Sequence, residues 1–262
     1  MIGSLKTGYA NVNGLRMYYE IHGEGKPVVL LHGALSAIGT SFGRVIPELA
    51  EKRQVIALEM QAHGRTADVN RPFSMDGMAD DTVAALRQLG VSEADFFGYS
   101  LGAGVALNIA IRHPQVVRML ILASVTYNLN GFHAGLLEGI TDLKPEDLAG
   151  SQWQKEYAEL APHPEAFAAL IEKVRGLNAS IADWPAEAIR SIAAPTLLVF
   201  GDSDIIRLDH ALEMFGLLGG GINGDTPSGL PKSRLAVLPG TSHTMVVERA
   251  ELLLPIVNSF LE

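Results

Sequence analysis

The sequence predicts an α/β protein: a mostly parallel central sheet flanked by helices, with one helical insertion. Three observations carry this. Strand-like and helix-like stretches alternate along the 262 residues, the pattern of a parallel sheet with helical crossovers. The strand-like stretches are short, continuous apolar runs such as Val28–Leu31, as expected of strands buried on both faces. Residues 125–194 break the rhythm, holding both tryptophans, Trp153 and Trp184, and several amphipathic stretches.

Taken in order, Val12-Asn13-Gly14-Leu15 reads as a hairpin turn, because Asn-Gly accepts the positive φ angles of a type I′ turn. It leads into a strand at Arg16–Ile21, and Pro27 opens the next at Val28–Leu31. Further strands are predicted at Gln54–Leu58, Ala94–Gly98, Val117–Ala123, Thr196–Phe200 and Arg234–Leu238. Helices are predicted at Gly43–Glu51, Asp76–Gln88, Leu101–Arg112, Asp209–Leu217 and Glu248–Phe260. Within the insertion, Gln152–Leu160 and Glu165–Arg175 read as helices. The expected division is a core of residues 1–124 and 195–262 with a helical cap over the sheet edge at 125–194. Gly219 through Pro231, rich in Gly and Pro, reads as a surface loop.

Composition excludes several classes. With no cysteine, disulfide frameworks, thiol catalysis and cysteine-ligated zinc are ruled out. A net charge of −9 opposes non-specific binding to nucleic acid or anionic membranes. No apolar run approaches a membrane span, and the first residues lack a signal-peptide core. The expectation is a soluble cytoplasmic protein acting on a small molecule, with no cofactor and no metal. Oligomeric state is not legible.

Gly98-Tyr99-Ser100-Leu101-Gly102 matches G-x-S-x-G, a sharp strand-to-helix turn that lifts a serine hydroxyl clear of a sheet. Gly39-Thr40-Ser41-Phe42-Gly43 matches too, but no strand precedes it, so Ser41 reads as an N-cap or loop residue. Ser100 directly follows a predicted strand and precedes a predicted helix. A serine nucleophile needs a base, and His243 sits in the loop between the last strand and the last helix. His32 reads as a brace of the neighbouring turn, His63 as a structural residue of its Gly-containing loop, and His113, before Pro114, as a helix C-cap. An acidic partner follows the strand Thr196–Phe200, where Gly201-Asp202-Ser203-Asp204 offers two carboxylates. The order is serine, aspartate, histidine. Asp204 lies farther past the strand and is favoured as the partner; Asp202 reads as a turn brace.

Leu30-Leu31-His32-Gly33, the Ser100 elbow, Gly201-Asp202-Ser203-Asp204 and Gly240-Thr241-Ser242-His243 occur in that order. Together they resemble the α/β-hydrolase superfamily over essentially the full length, and its capped, esterase-like branch. The resemblance implies an α/β-hydrolase fold with a helical cap, the triad Ser100, Asp204 and His243, and an oxyanion hole from the Ala34 and Leu101 amides. Leu35 could replace Ala34 if the turn were wound differently. It also supports Asp204, since the second aspartate of Gly-Asp-x-Asp is usually the triad member. The loop Glu59-Met60-Gln61-Ala62-His63-Gly64-Arg65-Thr66 departs from the family's Asp-x-x-Gly-x-Gly-x-Ser.

The implied activity is hydrolysis of carboxylic esters of a small to medium substrate through an acyl-enzyme on Ser100. The alternatives are the same machinery hydrolysing a lactone, an activated amide or a carbon–carbon bond, or carrying out perhydrolysis, or a non-catalytic ligand receptor. Tyr127, Leu129, Phe132, Trp153 and Trp184 are the aromatic and apolar residues expected either to line the pocket or to pack the cap.

Overall fold

A computed structural model describes residues 5–178 and 183–262. The strands are β1 (Lys6–Val12), β2 (Leu15–His22), β3 (Pro27–Leu31), β4 (Gln54–Leu58), β5 (Ala94–Tyr99), β6 (Val117–Ala123), β7 (Thr196–Ser203) and β8 (Arg234–Ser242). They form one sheet in the order β1-β2-β4-β3-β5-β6-β7-β8. The first hairpin is antiparallel, as is its pairing with β4; every other neighbouring pair is parallel. Asn13 and Gly14 turn the hairpin with φ of 49° and 79°, the positive angles their types accept.

The helices are α1 (Ile38–Phe42), α2 (Ile46–Leu49), α3 (Met75–Gln88), α4 (Leu101–Arg112), α5 (Leu136–Asp142), α6 (Gln152–Leu160), α7 (Phe167–Asn178), α8 (Ala186–Arg190), α9 (Leu208–Leu217) and α10 (Ala250–Leu261). Side chains alternate across the sheet and feed two cores. From β3, Val29 and Leu31 join α3 and α4 on one face, while Val28 and Leu30 join α1, α2 and α10 on the other. Among the described residues, no helix is long and apolar enough to cross a membrane.

Two expectations need correction. The helix expected at Gly43–Glu51 is only the short α2, Ile46–Leu49, and a second short helix, α1, stands before it at Ile38–Phe42. Gly43 caps the end of α1, and Pro47, which has no N–H to give, sits in the opening turn of α2. Strands β7 and β8 also outlast their apolar runs. Polar Ser203 and Ser242 still pair, past a register shift between Gly201 and Ser203. Between β6 and β7 lie α5 to α8, with α5 and α7 packed together and α6 against α1.

Candidate active site

Parallel strands deliver their C-terminal ends to one edge of a sheet, and the chemistry-bearing residues follow three such ends. Ser100 stands between β5 and α4 with φ 53° and ψ −116°, a strained conformation for a residue with a side chain. Bare neighbours permit it. A Cβ on Gly102 would lie 2.0 Å from the Leu31 carbonyl oxygen, and one on Gly98 would lie 2.5 Å from Ala103 Cα.

His243 follows β8 and Asp204 follows β7. His243 Nδ1–H donates to Asp204 Oδ1 at 2.9 Å, because an ionised carboxylate only accepts. That leaves His243 Nε2 to accept from the Ser100 hydroxyl, also at 2.9 Å. Tyr99 holds the histidine loop, donating its hydroxyl to the His243 carbonyl at 3.1 Å.

Asp204 is buried. Burial pushes its pKa up, but the hydrogen bond and charge of His243, with donors from Ser124 and Gly201, outweigh this and hold it below the ordinary carboxylate range. The Ser124 hydroxyl donates to Asp204 Oδ2 at 2.6 Å and the Gly201 N–H at 3.2 Å. Asp202 is exposed and accepts from the Gly240 and Thr241 amides at 2.8 and 3.0 Å, which lowers its pKa. It braces the end of β8, a contact across the sheet where sequence reading expected bonds to its own turn.

The turn after β3 presents Ala34 and Leu35. Leu35, at φ 62°, donates its N–H to His63 Nε2 at 3.2 Å. The Ala34 and Leu101 amides have no acceptor among the described residues. Two buried imidazoles fix this turn. His32 Nδ1–H donates to the Gly33 carbonyl at 2.8 Å while its Nε2 accepts the Met60 N–H at 3.0 Å. His63 Nδ1–H donates to the Gln61 carbonyl at 2.8 Å. Burial pushes His32 down to about 3 and His63 to about 4, so both are neutral near pH 7.

Ser41 is neither N-cap nor loop residue. It lies inside α1, accepts the Gly33 N–H at 3.3 Å and shares a 2.7 Å hydrogen bond with Ser36. The departing loop 59–66 is equally structural. Glu59 is buried, accepts from the Arg65 amide and guanidinium, and burial still lifts its carboxyl to about 7. Ala62 takes φ 62° where the family pattern has glycine.

A cavity of about 300 Å³ opens in front of Ser100 and His243, walled by Leu136, Leu143, Leu148, Trp153 and Val247. It joins an inner chamber of about 130 Å³ lined by Met75, Leu101, Val125, Phe132, Ile140, Val174 and Ile205. Among the described lining residues there is no Lys or Arg, and Glu248 is the one carboxylate. Hollows of about 660 and 470 Å³ elsewhere touch neither Ser100 nor His243. Of the five residues expected at the pocket or in cap packing, Phe132 and Trp153 line it. Tyr127 stacks on His210 with ring centroids 4.6 Å apart, Leu129 is exposed, and the Trp184 indole donates to Asn108 Oδ1 at 3.2 Å.

Sequence reading missed the roles of Ser124 and Tyr99, and of His63 it gave the structural role but not the partner. Ser124 was findable as the polar residue directly after β6. The bond from Leu35 to His63 spans 28 residues and left no local signal.

Comparison with known proteins places this geometry in a family. The 2-hydroxymuconate semialdehyde hydrolase of Pseudomonas sp. strain CF600 is 32% identical over 232 residues, 77% of this chain and 78% of that protein. A meta-cleavage product hydrolase from Pseudomonas fluorescens IP01 superposes with a TM-score of 0.73 at 21% identity, covering 99% of this chain and 97% of that one. A serine hydrolase involved in carbazole degradation gives 0.76 at 20% identity, covering 98% and 99%. At those identities the structures share the fold. Residues 26–250 match the family model described as the alpha/beta hydrolase fold. By that match and its hydrolase relatives, the chain belongs to the alpha/beta hydrolase family and is a hydrolase.

Proposed function

We propose that this hydrolase cleaves carboxylic esters of small to medium, neutral, apolar substrates through an acyl-enzyme on Ser100. One observation carries the reading: the Ser100 hydroxyl is hydrogen-bonded to an Asp204-oriented imidazole at the floor of an apolar cavity. Ser100 Oγ attacks the ester carbonyl as His243 Nε2 takes its proton. The oxyanion that forms accepts from the Ala34 and Leu101 amides, which have no acceptor among the described residues. Asp204 stabilises the imidazolium, which then protonates the departing alkoxide. Water, deprotonated by the same histidine, attacks the acyl-enzyme and releases the acid. Residues 125–194 act as the cap over the core of 1–124 and 195–262, supplying Phe132, Ile140, Trp153 and Val174 to the cavity.

A second reading, hydrolysis of a carbon–carbon bond, is favoured by the relative named for 2-hydroxymuconate semialdehyde. A muconate carries carboxylate, and the cavity offers it no cation among the described lining residues. That favours the neutral ester.

A panel of p-nitrophenyl esters of graded acyl length, with lactones and dienol ketones beside them, tests the proposal. Rapid turnover of short and medium esters is expected, lost in Ser100→Ala together with fluorophosphonate labelling, and retained in Ser41→Ala. Labelling at Ser41, or turnover confined to dienol ketones, overturns it.

A further inference from the structure

Helix α1 is short, and its first amides need acceptors from elsewhere. Its N-cap, Ala37, has no side chain to supply one. The acceptor comes from the insertion. Glu156 on α6 takes the Ala37 N–H on Oε2 at 2.9 Å and the Thr40 N–H on Oε1 at 2.8 Å, and the Thr40 hydroxyl donates to Oε2 as well. Gly39 makes room: a Cβ there would lie 2.8 Å from Glu156 Oε1. A carboxylate at the amide end of a helix also meets the positive end of its dipole.

Both partners of this clamp continue into the active site. On one side, α1 carries Ser41, which accepts the Gly33 N–H and bonds Ser36, and the Ser36 hydroxyl donates to the Gly33 carbonyl at 2.9 Å. Those contacts set the turn that aims the Ala34 amide. On the other side, α6 carries Gln152 and Trp153, which line the cavity. One carboxylate therefore ties the roof of the cavity to the turn beneath it.

We propose that Glu156 is a positioning residue that couples seating of the inserted helix α6 to the geometry of the oxyanion turn. The proposal rests on the reading that Ala34 stabilises the oxyanion. When Glu156 holds α1, the Ala34 amide is aimed at the reacting carbonyl; without it, α1 loses its acceptors and the turn loosens. The loss falls on the transition state, where the oxyanion exists, more than on substrate binding.

The test compares Glu156→Ala, Glu156→Gln and Glu159→Ala, the last an exposed residue of the same helix. Hydrogen exchange of the peptide spanning residues 33–41 reads the clamp without reference to any substrate. The rate of fluorophosphonate labelling and the split between kcat and KM read the oxyanion turn. Glu156→Ala is expected to speed exchange in 33–41, and to lower kcat and labelling by about tenfold or more with a smaller change in KM. Glu156→Gln, which keeps one acceptor oxygen, is expected to fall between it and the wild type. Glu159→Ala is expected to match the wild type. If Glu156→Ala does not fold, the same readings on Glu156→Gln decide.

Unchanged exchange in 33–41, unchanged kcat and labelling, or equal effects from the Glu159 variant overturns the coupling. Faster exchange with unaltered labelling also overturns it, since the turn then would not depend on the clamp. Failure of the ester reading is separately visible, as wild-type protein that labels at Ser100 but turns over no ester.

Discussion

Asp202 and Asp204 stand two positions apart at the end of one strand, yet one binds backbone amides and the other an imidazole. In a regular strand they would share a face. The register shift after Gly201 separates them, leaving Asp202 exposed beside Gly240 and turning Asp204 inward to His243 and Ser124. Asp204→Asn is expected to lower kcat about ten-thousand-fold, the scale seen when a triad histidine loses its oriented tautomer. Asp202→Asn is expected to lower the melting temperature while keeping most of kcat. Steady-state kinetics and thermal melts on both decide, and a catalytically dead Asp202→Asn would reverse the roles. At this scale the sequence showed which residue types follow strand ends, because parallel strands bring those ends to one edge. It did not show the shift after Gly201, nor the Ser124 bond across 80 residues, since both arise from pairing between distant segments.

Strands were the most legible elements, as each reads as a compact apolar run between turn residues. Short helices were the least. α1 and α2 are held by tertiary contacts, the Glu156 clamp among them, and an isolated turn of helix has little stability of its own. The elbow joining β5 to α4 depends on close approach, and two glycines in the chain give opposite expectations for the same substitution. Gly102→Ala places a methyl group 2.0 Å from the Leu31 carbonyl, so α4 must shift from β3. Destabilisation of about 3 kcal/mol or more, with loss of Ser100 reactivity, is expected. Gly139→Ala, inside α5 with nothing within 4 Å of the new methyl, is expected to stabilise by about 0.5–1 kcal/mol through helix propensity. Urea midpoints with unchanged m-values measure both; a stable Gly102→Ala would mean the helix and strand do not touch as described.

Across the whole molecule, buried titratable groups set how stability responds to acid. His32 and His63 titrate at about 3 and about 4 in the fold against 6.5 unfolded. Below pH 6.5 the unfolded chain gains protons that the fold refuses, so stability falls as pH drops, by up to about 1.4 kcal/mol per pH unit for each. His210, also pushed down by burial, acts in the same direction. Glu59, raised to about 7 from 4.5, acts oppositely: between pH 7 and 4.5 the fold holds a proton that the unfolded chain has released. Stability should therefore decline from pH 6.5 toward 4.5 and decline faster below, where the opposition of Glu59 ends. Glu59→Gln is expected to steepen the fall between 6.5 and 4.5. Urea midpoints against pH measure this, and a flat profile down to pH 4.5 in the variant would show that the imidazoles are not held neutral. Overall architecture was legible from alternation alone, whereas this pH response depends on burial, which no single residue's neighbours in sequence disclose.

The inserted segment leaves the sheet at the end of β6 and returns at β7, two strands that lie side by side. Lengthening a connection between fixed ends costs little, because loop entropy grows only with the logarithm of length. The strand pairing that sets Ser100, Asp204 and His243 does not pass through that segment, yet Phe132, Ile140, Trp153 and Val174 on the cavity wall all come from it. Selectivity is thus written in a stretch of chain apart from the strands that carry the triad, and a graft at residues 125–194 that retargets this hydrolase must keep a carboxylate where Glu156 meets α1.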